Sequence, residues 1–339
     1  MTILLLLLRP TLAFNKDGHD AIGMIATNGL DAINNRASYE LKKLLQTGDA
    51  SDAGYWTHEV ESKMGILGSL HFQGQADNAV CKADHCPDGR CISNAIRAFY
   101  AQLVGDDTSK YAGLLPPKLT LTDSDAVKFL ITLIGDMHQP MHVSRISDDF
   151  GRRSNTILGG RANNMFEVWE SGLITQETKN SAWWSGWTQI ANAPTFAADR
   201  KAFDEKGLAV IDDWIDENAK YACNSIFARY STVNNLNNIP AIDMNLNALW
   251  RQEVRARLLM AGSRTAVIIH GLLAERARRG QTKFRGGSAF APIAEPEMLE
   301  AAITSQSGAA FLNLCVLATV LLAFVLFVRR INDTTHIKE

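Results

Sequence analysis

The chain has almost no net charge. Its 34 Lys and Arg against 36 Asp and Glu leave a formal charge of −2. Such a balance excludes a broadly basic surface for gripping long duplex nucleic acid. Internal repeats are absent, which excludes a solenoid or propeller, and no run of alternating apolar residues announces a large sheet. Between Phe14 and Lys283 there is no N-x-[ST] sequon, so glycosylation says nothing about location. Cysteine is scarce, with five in all. Cys315 falls in a long apolar run, leaving Cys81, Cys86, Cys91 and Cys223. An even number outside that run fits two disulfides in an oxidising compartment. A metal knot of the same four is the weaker alternative, because paired C-x-x-C units are missing.

Long hydrophobic runs are confined to the ends. "MTILLLLLRPTLAF" joins an apolar stretch to small residues at Thr11 and Ala13, the pattern of a secretory leader spanning 1–13 and cleaved before Phe14. The segment from Gly308 to Val328 carries no charge, and Arg329 and Arg330 follow directly. About twenty apolar residues suffice to cross a bilayer, and flanking arginines mark the cytoplasmic side. The expected organisation is a leader at 1–13, an ectodomain at 14–283, a linker at 284–307, a transmembrane helix at 308–328 and a cytosolic tail at 329–339. That is a single-pass, type I membrane protein of the secretory pathway.

Periodicity points to a mainly α ectodomain. In "TDSDAVKFLITLIGDMH", Val127, Leu130, Ile131 and Ile134 share one face, with Asp123 or Ser124 as the expected N-cap. "HDAIGMIATNGLDAI" reads as a second helix entered just after Gly18, and residues 243–279 as one long helix or two in succession. Long loops are expected around 73–90 and 145–162. The stretch "GDMHQPMH", residues 135–142, crowds Asp136, His138 and His142 beside a proline. All three are metal-ligand types, and further donors stand at His19, His58 and His71.

Taken in order along the chain, these pieces resemble the zinc-dependent single-strand-specific nucleases of the mung bean type. The likeness is strongest to the membrane-bound 3'-nucleotidase/nucleases of trypanosomatids. "F-x4-H" at Phe14 to His19 resembles that family's mature start, "YWTHEV" its W-A-D-E-[IV] and "LHF" its L-H-[YF]. "CISNAI" resembles C-V-x-x-A-I, "NNMFEVWE" resembles N-L-H-x-[VL]-W-D, and "AGSRTAVIIHGLL" resembles the final helix. "FLITLIGDMHQPMH" against F-L-x-H-x-x-G-D-x-H-Q-P-L-H is the most specific match.

The resemblance implies a multi-helix domain of the phospholipase C/nuclease type that holds up to three zinc ions. Asp136 would bridge two of them and orient the nucleophile. One ion of the pair would take the α-amine and carbonyl of Phe14 with His19, so leader cleavage would create a ligand. The other would take His71, His58 and the position of Thr132. A third ion would take His142, the position of Phe166, and Glu170. Four of these positions depart from the family pattern. His58 and Glu170 stand for aspartates, while Thr132 and Phe166 replace histidines. Two ions are therefore expected in this chain. By the same resemblance, Arg152, Arg153 and Arg161, near the "DFGRRSN" loop, would contact substrate phosphate, and the disulfides would be Cys81–Cys223 and Cys86–Cys91. The expected activity is hydrolysis of single-stranded RNA or DNA and of 3'-nucleotides, attenuated by the substitutions, with no protein partner. The alternative is a catalytically inactive surface protein that keeps the fold to bind nucleotides or a partner.

Overall fold

The computed structural model describes residues 14–46, 48–64, 67–76, 81–116, 119, 121–178, 195–229 and 239–281. The leader, linker, apolar run and tail expected from the sequence lie outside these residues. Within them the chain is mainly helical. The helices are α1 (Lys16–Ile33), α2 (Ala37–Leu45), α3 (Ala50–Gly54), α4 (Trp56–Met64), α5 (Ile92–Val104) and α6 (Asp123–Asp136). After them come α7 (Met165–Glu167), α8 (Leu173–Thr178), α9 (Phe196–Lys206), α10 (Val210–Tyr221) and α11 (Met244–Arg278).

Helix α6 runs through the core with every residue buried. Its cap is Thr122, not the expected Asp123 or Ser124. The Thr122 side chain accepts from the Asp125 amide at 3.1 Å, and Asp125 accepts from the Thr122 amide at 3.1 Å. This reciprocal pair satisfies two donors that a Ser or Asp one residue later could not both reach. Phe99 of α5 stacks on Phe129 of α6 with centroids 4.9 Å apart. Helix α1 starts at Lys16, earlier than expected, because the Asn15 side chain accepts from the Gly18 amide at 3.1 Å.

Helix α11 is one continuous element, capped by Asp243 accepting from the Leu246 amide at 2.8 Å. Among the described residues it is the one helix long and apolar enough to cross a membrane. It is instead the central core helix. Trp250, Val254, Leu258, Ala261 and Ile268 are buried, and Arg257, Arg264 and Arg276 are buried in ion pairs. Close approach to α1 depends on small residues. A Cβ on Gly262 would come within 2.4 Å of Ile25.

The expected loop at 145–162 contains a small β-hairpin, the one sheet among the described residues. β1 (Asn155–Leu158) pairs antiparallel with β2 (Arg161–Asn164). Gly159 and Gly160 turn it with φ of 58° and 78°, the two left-handed positions a two-residue hairpin needs. Ile157 also bonds to the Pro240 carbonyl at 3.0 Å and to the Ile242 amide at 2.9 Å, which ties the hairpin to the approach to α11. Local alternation is too short here for a sequence pattern to reveal it. Cys81 is bonded to Cys223 and Cys86 to Cys91, the pairing that the resemblance implies.

Candidate metal centre

Four elements deliver their side chains to one buried point. Asp136 ends α6, His19 lies on α1, His58 on α4, and His71 ends a 3-10 turn at Gly68–His71. The side chains of all four are fully buried. His71 Nδ1 bonds Asp136 Oδ2. His19 Nε2 and His58 Nε2 lie 3.3 and 3.7 Å from Asp136 Oδ1. The His19 and His58 rings are 5.1 Å apart, and those of His58 and His71 are 4.8 Å apart. Gly135 makes room for this, since a Cβ there would meet the His19 ring at 3.1 Å.

Burial opposes ionisation of Asp136, but the charge of His71 and hydrogen bonds from His19, His58 and His71 outweigh it, holding the carboxyl well below its ordinary range. Burial pushes His19 down, keeping it neutral against the pull of Asp136. Neither ring nitrogen of His19 makes a hydrogen bond of good geometry, and Asp136 Oδ1 makes none. Buried polar atoms are almost always paired. Imidazole nitrogens converging on one buried carboxylate are the donor set of a borderline divalent cation such as zinc. His19, His58 and Asp136 place ligand atoms within 4.8 Å of one another. These residues fit a metal.

His142 stands beside this cluster in a 3-10 turn, Pro140–Val143, capped by Gln139. Its Nδ1 donates to the His71 carbonyl at 2.6 Å, which fixes the tautomer and leaves Nε2 as a lone pair with no hydrogen bond. Burial drives its pKa down to about 3. Glu170 lies in a π-turn, Val168–Gly172, of a kind common at functional sites. Burial first, then the Asp136 charge, raises Glu170 well above the carboxylate range, while Gln139 and Arg152 pull the other way. Phe14 is buried with its ring 6.5 Å from His19, and the next amide, of Asn15, donates to the Glu170 carbonyl at 2.9 Å.

Thr132 and Phe166, the positions where the resemblance implies histidines, make other contacts. Thr132 Oγ donates to the Gly54 carbonyl at 2.9 Å or the Lys128 carbonyl at 3.0 Å, so its proton faces backbone rather than a metal. Phe166 lies 5.6 Å from the His142 ring, and the Arg152 guanidinium covers it at 3.8 Å. Arg153 and Arg161 are exposed; the contacts of Arg153 run to the Ser147 carbonyl and those of Arg161 to the hairpin. His138, despite its place in "GDMHQPMH", turns away. It donates to the Ile134 carbonyl at 2.6 Å and accepts from Arg264 at 3.0 Å. Tyr55 was not legible as a site residue. Its ring is 5.2 Å from His58 and 6.0 Å from His19, and burial, then the charges of Glu170 and Glu59, raises its pKa to about 12. The signal available was its position three residues before His58 on a helical approach.

A helical fold around a buried carboxylate ringed by imidazoles sets the frame for comparison with known proteins. The sequence profile described as S1/P1 Nuclease matches residues 14–274, and the chain belongs to that family. Endonuclease 2 of Arabidopsis thaliana is 30% identical over 181 residues, covering 51% of this chain and 61% of that protein. Endonuclease 4 of the same plant is 25% identical over 191 residues, covering 52% and 60%. The chain thus spans about three-fifths of the length of these curated relatives.

Proposed function

We propose that this protein is a zinc-dependent phosphodiesterase and 3'-nucleotidase acting on single-stranded RNA or DNA, with its ectodomain held to a membrane by residues 308–328. The observation that carries this reading is the convergence of His19, His58 and His71 on Asp136, with His19 lacking any hydrogen bond of good geometry. Asp136 would bridge two ions. His71 and His58 would hold one; His19 and the Phe14 backbone would hold the other. The burial of Phe14 beside His19 supports a mature chain beginning at that residue. Bound zinc would supply Lewis acidity toward water and the phosphoryl oxygens.

The protein's own groups then have definite tasks. Asp136, kept ionised, accepts a hydrogen from the attacking water at Oδ1, the oxygen without a hydrogen bond. The water oxygen bonds to phosphorus, the bond from phosphorus to the 3'-oxygen breaks, and that oxygen takes a proton from solvent while the proton given up by the water is released to solvent. His71 is doubly fixed, by Asp136 at Nδ1 and by His142 at its carbonyl, so it orients the carboxylate. Tyr55, half-buried against His58, offers a ring on which an unpaired base can stack.

The second reading, an inactive nucleotide-binding surface protein, draws on the positions Thr132 and Phe166, whose side chains offer no metal donor there. Zinc counting on the full-length protein, with hydrolysis of a single-stranded oligonucleotide, separates the two. Two ions per chain and cleavage abolished by Asp136→Asn are expected. A folded protein with no zinc and no cleavage decides for the binder.

A further inference from the structure

Of Arg152, Arg153 and Arg161, the first packs inward onto an aromatic pair. Its guanidinium sits 3.8 Å over the Phe166 ring and 5.1 Å from that of Phe72. Phe72 in turn stacks on His142, centroids 4.2 Å apart and planes 10° from parallel. The loop that delivers the arginine is tightly built. Asp149, Phe150 and Gly151 are all left-handed, and Asp148 accepts from the Gly151 amide and the Ser154 hydroxyl, each at 2.9 Å. One guanidinium nitrogen, Nη1, reaches the Asp149 carbonyl at 3.4 Å and its carboxylate at 3.7 Å. The other, Nη2, is buried and makes no hydrogen bond. The charge of Arg152 is felt at both His142 and Glu170.

These are the two donors left for a third zinc, and the set does not fit one. Its remaining position is a phenylalanine that cannot ligate, and a fixed positive charge lies on that ring. A dication next to a guanidinium is repelled, while an anion is attracted. Guanidinium is also the side chain best matched to planar, two-point recognition of phosphate, and stacking on an aromatic face holds it in place.

We propose that Arg152, seated on Phe166, takes the place of a third metal ion as the positive charge that binds a phosphoryl oxygen of the substrate. This rests on reading the centre as a phosphoryl-transfer site. A zinc ion absent from this position leaves two positive charges unsupplied, and Arg152 provides one of them beside His142.

The test uses full-length protein, zinc-loaded, with inorganic phosphate as the probe. Metal analysis should find no more than two zincs per chain, and three would overturn the proposal. Arg152→Gln should weaken phosphate binding about tenfold or more, the cost of one charge-assisted hydrogen bond, with the zinc count unchanged. Arg152→Lys should recover part of the loss, since the charge remains but the fork does not. An unchanged phosphate affinity in a folded Arg152→Gln protein would also overturn it. Should that variant not fold, the wild-type chain still answers. Phosphate should protect Arg152 from an arginine-directed dicarbonyl reagent, read by peptide mass mapping, and full labelling at saturating phosphate refutes the assignment. Phosphate protection without strand cleavage would sink the nuclease reading and leave this one standing; cleavage with phosphate binding indifferent to Arg152 would do the reverse.

Discussion

Replacing Asp136 with asparagine removes one negative charge and, on the proposed reading, the oxygen shared by two ions, and its consequences can be worked out. In the metal-free protein His71 loses an ionised acceptor. A buried hydrogen bond to a charged group is worth about 1.5–3 kcal/mol. For a domain of this size each kcal/mol moves the melting temperature by about 2–4 °C. The metal-free variant should therefore melt roughly 3–12 °C below the metal-free wild type. Zinc at a hundredfold excess over its dissociation constant adds about 2.7 kcal/mol per site. Two sites in the wild type give about 5.4 kcal/mol, a rise of roughly 11–22 °C. If Asp136 is shared as proposed, the variant loses a ligand from both sites at once, and most of that rise should vanish together with cleavage. Calorimetry of both proteins, with chelator and then with zinc, measures each quantity separately. A variant that keeps the full zinc-induced rise would refute Asp136 as the shared ligand.

Acid should destabilise the metal-free protein. Burial lowers the pKa of His19, His138 and His142, with the nearby Arg264 cation adding to the effect at His138. The fold thus favours their neutral forms, and stability present above the unfolded value near 6.5 is lost as the pH falls below it. Each can remove up to about 1.4 kcal/mol per pH unit there, so melting of chelated protein should drop steeply between pH 6.5 and 5.5; a flat profile contradicts the burial argument. The disulfides should differ in worth. Cys81–Cys223 spans a sequence separation of 142 and Cys86–Cys91 one of 5, and chain entropy assigns them about 5 and about 2 kcal/mol; paired Cys→Ser variants that melt alike would count against that account. Finally, Phe166→His combined with Arg152→Gly should raise the zinc count from two to three by removing the repelling cation and supplying an imidazole. Thr132→His is a harder graft, because the threonine is fully buried and bonded to the Gly54 carbonyl, and overpacking costs about 1–3 kcal/mol. A Phe166→His/Arg152→Gly protein that stays folded with two zincs would show that His142 and Glu170 no longer face a common metal position.

Much of the architecture could be read without coordinates. The 3.6-residue spacing of Val127, Leu130, Ile131 and Ile134 identified the helix that became α6, and residues 243–279, read as one long helix or two, proved to be one. The exact cap of α6 escaped, because Thr122 and Asp125 act as a reciprocal pair and single-residue preferences do not weigh pairs. The hairpin at 155–164 escaped because its four-residue strands are shorter than any reliable alternation, leaving the Gly159–Gly160 turn as the one clue. In "GDMHQPMH" three donors stand close along the chain, yet His138 leaves α6 on the side facing Arg264 while Asp136 faces His19. Proximity in sequence did not tell which residues share a site.

By itself the sequence determined the donor chemistry. It supplies the imidazoles, the carboxylate of Asp136, four cysteines available to pair, and a threonine and a phenylalanine at 132 and 166, where the resemblance leads one to expect histidines. These are properties of residue type and short spacing, and folding cannot alter them. Tertiary structure alone decided the convergence. Residues 19, 58, 71 and 136 come from separate elements, and their meeting depends on helix crossings and on the space left at Gly135. It also decided the fate of the vacated positions. Whether a buried phenylalanine is mere filling or the seat of a cation depends on which loop packs over it, and only the left-handed turn at Asp149 to Gly151 brings Arg152 there.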